Sequence, residues 1–409
     1  MKFLLINQYY PPDTAPTGRY LHDLAKALVL RGHEVRVLCS RRAYNGDAVY
    51  SAEETIDGVR VQRVRATGFG RKSGLGKIFD YASFYGALAL KLFDRSLQFD
   101  LVLALTTPPH VGLLARWGAN RRGAAHAHWI MDIYPDVLAA HGKVSELSFL
   151  FRQLAKLTRR ELRGSPLIVT LGEDMAARIR RRVADLPEVC RAVESLPLWS
   201  EPELRPWTEA TPPPFRIEQR WSERDVVLMY SGNMGRGHRF GEFLAAAEAL
   251  KGEASLRWVF AGGGKRRGEI EDALARDSRL NVLLLPYAPA GRLREHLCSA
   301  DVHLVSLDAE WQGCMVPSKV QGIFAVGKPI IFVGGSENSI AQWIAESGGG
   351  WVVPENDLPA LMRAIEASRD AEERRRRGAA ARAFAEKAFS RELNLNRLCE
   401  WLELRCSAD

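Results

Sequence analysis

The sequence predicts an α/β protein made of two doubly wound parallel sheets, one in each half of the chain. Three observations predict it. Short apolar runs alternate with helically spaced apolar residues through 3–170, and the same alternation restarts through 226–332, which is the pattern of βαβ units. Between them lies a stretch with five prolines, at Pro202, Pro206, Pro212, Pro213 and Pro214, and little apolar periodicity, as in a stiff linker. The length, 409 residues, exceeds one ordinary core. Rossmann-like domains are therefore expected at 1–200 and 223–388, with a linker at 201–222 and a terminal helix at 389–409.

Composition bounds the rest. The 46% hydrophobic and 26% charged fractions are those of a soluble globular chain, and no apolar run is long enough to span a bilayer. Residues 1–8 read as a first strand, too short in their apolar part for a signal peptide. The six cysteines (Cys39, Cys190, Cys298, Cys314, Cys399, Cys406) are scattered, which predicts a reducing cytoplasm and neither a disulfide frame nor a zinc site. No metal site is expected. Residues 1–200 hold 29 basic and 19 acidic side chains, a net +10 that exceeds the +8 of the whole chain. A basic half suits an anionic membrane face or a phosphorylated substrate. No nucleic-acid-binding module is recognisable, so no nucleic-acid partner is expected.

Taken in order, residues 3–6 form a buried strand, 7–18 a loop rich in turn residues, and Tyr20, Leu21, Leu24, Ala25 and Leu28 a helix face. Residues 35–39 form the next strand. Ligands of such sheets sit beyond the carboxyl ends of the strands, where the 7–18 loop lies. Gly18 there would allow close backbone approach to a ligand. An alternating strand at 59–64 precedes a basic loop with Arg71, Lys72 and Lys77. Aromatic-rich amphipathic helices follow at 78–88 and 147–163. Each either covers its own sheet or lies on an anionic membrane. Strands at 100–105 and 127–131 end at the runs Thr-Thr-Pro-Pro (106–109) and Asp-Ile-Tyr-Pro (132–135).

In the second half, a strand at 226–230 runs into Gly232, Asn233, Arg236 and His238, and a strand at 256–260 runs into Gly262, Gly263 and Gly264. Residues 311–332 read as loop, short helix and strand. Ser318 is a potential cap, Lys319 a cation beside free helix amides, and Gly327 with Pro329 the stop.

The run Tyr-Pro-Pro at 10–12 with Gly18 and Arg-Gly-His-Glu-Val at 31–35, the two proline runs, the glycine loops and the Pro-Ser-Lys to Gly-Lys-Pro segment at 317–329 occur in one order. That order resembles family-4-type nucleotide-sugar glycosyltransferases, in the branch that builds bacterial surface polysaccharides. The resemblance spans nearly the whole chain. It implies a GT-B fold with a cleft between the domains, and a terminal helix that crosses back to the first domain. It also implies retention and no metal. Arg236, His238 and Lys319 would then meet the donor diphosphate, with Ser318 and the loops at 232–238 and 262–264 around the nucleotide. Asp132 and His128 become the catalytic candidates, although the family's histidine position before that aspartate is Met131. The family's paired glutamates fall on Cys314 and Gly322, neither a carboxylate, which leaves Glu310 and Glu337 as substitutes.

The expected activity is sugar transfer from a nucleotide sugar, a UDP-sugar first, to a lipid-linked or soluble carbohydrate acceptor, with polyprenyl diphosphate as the lipid carrier. No other cofactor is expected. The basic half predicts a cytoplasmic protein peripheral to the inner membrane face. Two alternatives stand beside it: a GT-B sugar-nucleotide epimerase, for which cleft carboxylates are missing, and a non-catalytic sugar-nucleotide-binding partner of another transferase.

Overall fold

The computed structural model describes residues 1–44, 46–69, 74–289 and 291–405. Arg71, Lys72 and Cys406 lie outside the described residues. The chain divides into two compact units, Met1–Leu196 joined by the segment from Glu392 on, and Pro197–Arg391.

The first unit holds an eight-stranded sheet. Its strands are β1 (Lys2–Ile6), β2 (Glu34–Ser40), β3 (Glu53–Ile56), β4 (Val59–Val64), β5 (Leu101–Ala104), β6 (Ala125–Trp129), β7 (Leu167–Thr170) and β8 (Val193–Ser195). They lie in the order β3-β4-β2-β1-β5-β6-β7-β8, parallel except for β3 against β4. Leu5 pairs with Val37 on one side and Leu103 on the other, so the winding reverses at β1. β1, β5 and β7 read as nearly continuous apolar runs because helices cover both faces. One helical layer places Gly112–Asn120 between Gly74–Phe93 and Phe149–Leu162. Phe84, Leu88 and Leu92 from the first of these pack on Leu4, Ile6, Val102 and Ala104.

The second unit holds six strands, β9 (Val226–Ser231), β10 (Leu256–Ala261), β11 (Val282–Leu285), β12 (Val302–Ser306), β13 (Ile330–Val333) and β14 (Gly350–Val353). The order is β11-β10-β9-β12-β13-β14, and every pairing is parallel. The winding reverses at β9. All six carboxyl ends therefore share one edge, which also carries the glycine loops.

One expectation changes. Residues 201–222 are no free linker. Leu204 is buried with Leu297, Cys298, Ala325 and Val326, Arg294 pairs with Glu209 at 2.8 Å and stacks on Trp207, and Phe215 packs on Trp221 and His296. The apolar residues between the prolines are what seat the segment on the second unit. The terminal helix, Arg391–Arg405, belongs to the first unit. Glu403 takes Arg31 at 2.9 Å and His33 at 2.7 Å, Arg405 pairs with Glu194, and Leu398, Cys399 and Leu402 are buried.

Candidate active site

In the second unit, the loops after β9 and β10 interlock. The Gly232 amide donates to Ala261 O (2.9 Å), the Met234 amide to Gly263 O (2.7 Å) and the Arg266 amide to Met234 O (3.0 Å). Gly262 and Gly264 have φ of +135° and +138°. A Cβ at 262 would stand 2.0 Å from the Gly232 carbonyl oxygen, and one at 264 would stand 2.5 Å from that of Met234. Only glycine lets these backbones meet.

Lys319 opens the helix Lys319–Ala325 and reaches back to this crossing. The residue is half-buried, but its Nζ is closed off from solvent and has no hydrogen-bond partner. It stands 3.7 Å from the centroid of the Tyr230 ring and would lie 3.5 Å from a Cβ on Gly232. The Tyr230 hydroxyl donates to Asn233 O (2.7 Å), which fixes the ring below the amine. Burial pushes the Lys319 pKa well below the ordinary lysine value. The cation–π contact offsets part of that cost, and an anion arriving at Gly232 would offset much more.

His238 does not share this role. Its Nδ1 donates to Ser306 O at 2.7 Å, and burial, with the Lys319 charge next, pushes its pKa down to about 3. It is a neutral imidazole at pH 7. Arg236 is exposed and pairs with no carboxylate among the described residues, so it is free to meet an anion. Asn233 and Ser318 are exposed. Ser318 makes no cap bond, because its backbone is already near-helical (φ −72°, ψ −1°) and not extended as a side-chain cap requires.

Cys314 is buried with its Sγ 3.7 Å from Glu310 O. A Cβ on Gly322 would stand 2.9 Å from Leu204 Cδ1. The positions of the paired glutamates are therefore packing positions in this chain. Glu310 and Glu337 are exposed.

In the first unit, Asp132 follows β6, its amide donating to Thr106 Oγ1 at 3.2 Å. Burial alone raises its carboxyl to about 6, since no cation stands against it. His128 is one strand residue from the end but turns into the core. It is 1% exposed and lies 3.9 Å from buried Glu161. Burial pushes its pKa down to about 3. A Cβ on Gly112 would stand 2.5 Å from its ring. His128 is thus a core residue under the helices, not a group at the strand end. Gly18 is buried too. Its missing Cβ admits the backbone of Tyr9 and Tyr10, at 2.9 and 3.1 Å, over the first turn of its helix, so it seats the loop.

Two matches to family models divide the chain as the two units do: a glycosyl transferase 4-like domain over residues 17–192 and a glycosyl transferases group 1 domain over 225–368. This chain is a glycosyltransferase of that two-domain family. The glycosyltransferase WbjE of Pseudomonas aeruginosa is 28% identical over 72% of this chain and 71% of its own length. The colanic acid biosynthesis glycosyl transferase WcaI of Escherichia coli (strain K12) is 25% identical over 96% and 97%. The Anabaena protein HepE, solved in complex with UDP, superposes with a TM-score of 0.72 at 12% identity, covering 98% of this chain and 100% of its own.

The glycosyltransferase has three residues on these edges that the sequence reading passed over. Tyr287, 55% exposed beyond β11, lies over Gly263, and its hydroxyl donates to Gly263 O at 3.0 Å. Its place after the strand Val282–Leu285 was the available signal. His110, at φ +61°, sits in the loop after β5 with Nδ1 3.2 Å from Glu161 Oε2. Arg239 joins Glu242 (2.6 Å), Glu355 (3.2 Å) and Asp308 (3.3 Å) and ties the ends of β9, β12 and β14. Among the described residues no group of three or more histidines, cysteines and carboxylates could hold a metal ion, and no helix is long and apolar enough to cross a membrane.

Proposed function

We propose that this glycosyltransferase moves a sugar from a UDP-sugar to a lipid-linked acceptor saccharide in surface-polysaccharide synthesis. The buried Lys319 amine, unpartnered at the β9–β10 glycine crossing, is the observation that carries the donor half of this reading. As the glycosidic bond breaks, negative charge grows on the leaving diphosphate. Our reading assigns that charge to Lys319 and Arg236, side chains and not a metal. UDP as the nucleotide follows HepE, which was solved with UDP, and the pathway follows WcaI, named for colanic acid biosynthesis. Retention of configuration follows the family resemblance. Asp132, with a carboxyl raised to about 6, contacts the acceptor or the transferred sugar from the first unit.

The lipid side of the reading rests on two helix ends in the first unit. Tyr85 hydrogen-bonds the Pro109 carbonyl and Thr158 that of Tyr134 (2.8 Å), both in loops at the carboxyl edge of the sheet. At 1.5 Å per residue, Phe79 projects about 9 Å past that edge and Leu150 about 12 Å. Phe69, Ile78, Phe79, Leu147, Phe149 and Leu150 are all exposed there, with exposed Lys77, Arg152 and Lys156 among them. Each cation near an anionic leaflet contributes about 1 kcal/mol, so an anionic bilayer suits this edge. Cosedimentation with anionic vesicles at low salt and none with neutral vesicles is expected; equal binding to both removes the membrane part alone.

The central test is nucleotide release from a panel of nucleotide sugars, with and without saccharide acceptors. Release from one UDP-sugar, stimulated by acceptor, is expected. UDP binding without release from any donor would favour a sugar-nucleotide-binding protein, the second reading motivated by Cys314 and Gly322.

A further inference from the structure

The first unit contains a pocket of about 200 Å³ at the carboxyl ends of β1, β2 and β4, closed on one side by the helix Gly74–Phe93. At about 30 Å³ per water, it has room for one sugar ring. None of the residues discussed above as donor or catalytic groups lines it.

Its walls have a definite chemistry. Tyr9, Tyr44 and Tyr81 supply aromatic surface. Tyr9 and Tyr44 meet edge to face at 5.1 Å, which holds both rings in place. Two cations line the same pocket. Arg42 is exposed, and its Nε reaches only the Ala66 carbonyl, at 3.4 Å. Lys77 stands 5.6 Å from the Tyr81 ring. Neither pairs with a carboxylate among the described residues. Two carboxylates share the lining. Asp80 is already held by the Thr67 hydroxyl (2.7 Å) and the Phe69 amide (2.9 Å), and Asp47 sits on the exposed rim. Aromatic faces pack against the apolar face of a pyranose, a rim carboxylate accepts sugar hydroxyls, and two cations engaged in no ion pair meet an acidic substituent.

We propose that this pocket is a subsite for an anionic sugar of the acceptor, a ring carrying a carboxylate or a phosphate, with Arg42 and Lys77 as its charge-reading residues. The inference rests on the acceptor being held by the first unit, and it names the class of sugar recognised there. A uronate brings one negative charge to this pair and a sugar phosphate about 1.5 to 2.

The test is equilibrium binding of glucuronic acid, glucose 1-phosphate and glucose to the full chain, followed by ligand-observed NMR. At least one of the two anionic sugars is expected to bind at least about tenfold tighter than glucose; which of them does so tells carboxylate from phosphate. Arg42→Ala and Lys77→Ala should each weaken that binding about tenfold, while UDP affinity and the melting temperature stay at wild-type values. Glucose binding as tightly as both anions, no binding of any of the three, or undiminished anion binding in the Arg42→Ala/Lys77→Ala double variant would overturn the inference. Because the readout is binding and not transfer, its failure is distinct from failure to release nucleotide from any donor.

Discussion

Replacing Lys319 with Met separates a binding charge from a structural one. Methionine keeps the length and most of the volume of the side chain and removes only the ammonium. In the unliganded chain that ammonium is buried without a hydrogen-bond partner, and its pKa lies well below the ordinary value because burial disfavours the charged form. A depressed lysine pKa has a definite sign. Between the folded value and about 10.5 the unfolded chain binds more protons, so stability rises with pH across that window. Lys319→Met should remove that rise and leave stability at neutral pH unchanged or higher. The effect on UDP is opposite. Losing a charge-assisted bond to a phosphate costs about 1.5–3 kcal/mol, a weakening of roughly ten- to 150-fold. Calorimetric titration with UDP measures the loss of affinity, and urea midpoints across the pH range measure the change in stability. Wild-type affinity in Lys319→Met, or a loss of several kcal/mol of stability, would refute the anion-seat argument.

Other expected outcomes follow from the same geometry. Gly262→Ala places a Cβ 2.0 Å from the Gly232 carbonyl oxygen at φ +135°; it should cost about 3 kcal/mol of stability and separate the two loops, read as a lower urea midpoint with lost UDP binding. His126 and His128, pushed down to about 4 and about 3 by burial, stay neutral when folded. Stability should therefore fall as pH drops below about 6.5, by about 2 kcal/mol per histidine at pH 5; replacing either with Gln should flatten the pH dependence of the urea midpoint. Asp132→Asn should lower kcat about a hundredfold, and it should abolish an acidic limb near pH 6 in the wild-type rate profile; an unchanged limb assigns it to another group.

The fold was legible because burial on both faces of a parallel sheet leaves unambiguous apolar runs. Residues 3–6, 101–104 and 226–231 could hardly be anything else. The glycine crossing was half legible: Gly262–Gly264 announced a tight turn, but only the carbonyl positions of Gly232 and Met234 show that the glycines serve each other. Side-chain direction was not legible. His128 and Asp132 stand four residues apart, yet one turns under the helices to Glu161 and the other stays at the strand end. Period alone cannot distinguish a strand's last inward residue from the loop that follows it. His238 misled for a related reason. Its neutrality comes from burial and from the Lys319 charge, 81 residues away in sequence. Tyr287 was missed because an exposed aromatic after a strand carries no motif.

The proline-rich segment and the missing glutamates, separate oddities in the sequence, are one feature in the structure. Leu204 lies in that segment, and its Cδ1 would stand 2.9 Å from a Cβ on Gly322. Leu297, Ala325 and Val326 complete the same apolar cluster. A glutamate at 322 would have to displace Leu204 or bury a carboxylate among aliphatic side chains, at a cost of several kcal/mol. The helix Lys319–Ala325 is thereby divided by face. Gly322, Ala325 and Val326 pack on the segment that precedes β9, while Lys319 holds its amine at the glycine crossing. The contact that removes the carboxylate also anchors the helix that presents the lysine. On the donor reading proposed above, sugar hydroxyls would find no carboxylate at 322, and Tyr287, standing over Gly263 beside the same crossing, is the exposed hydroxyl we assign to them.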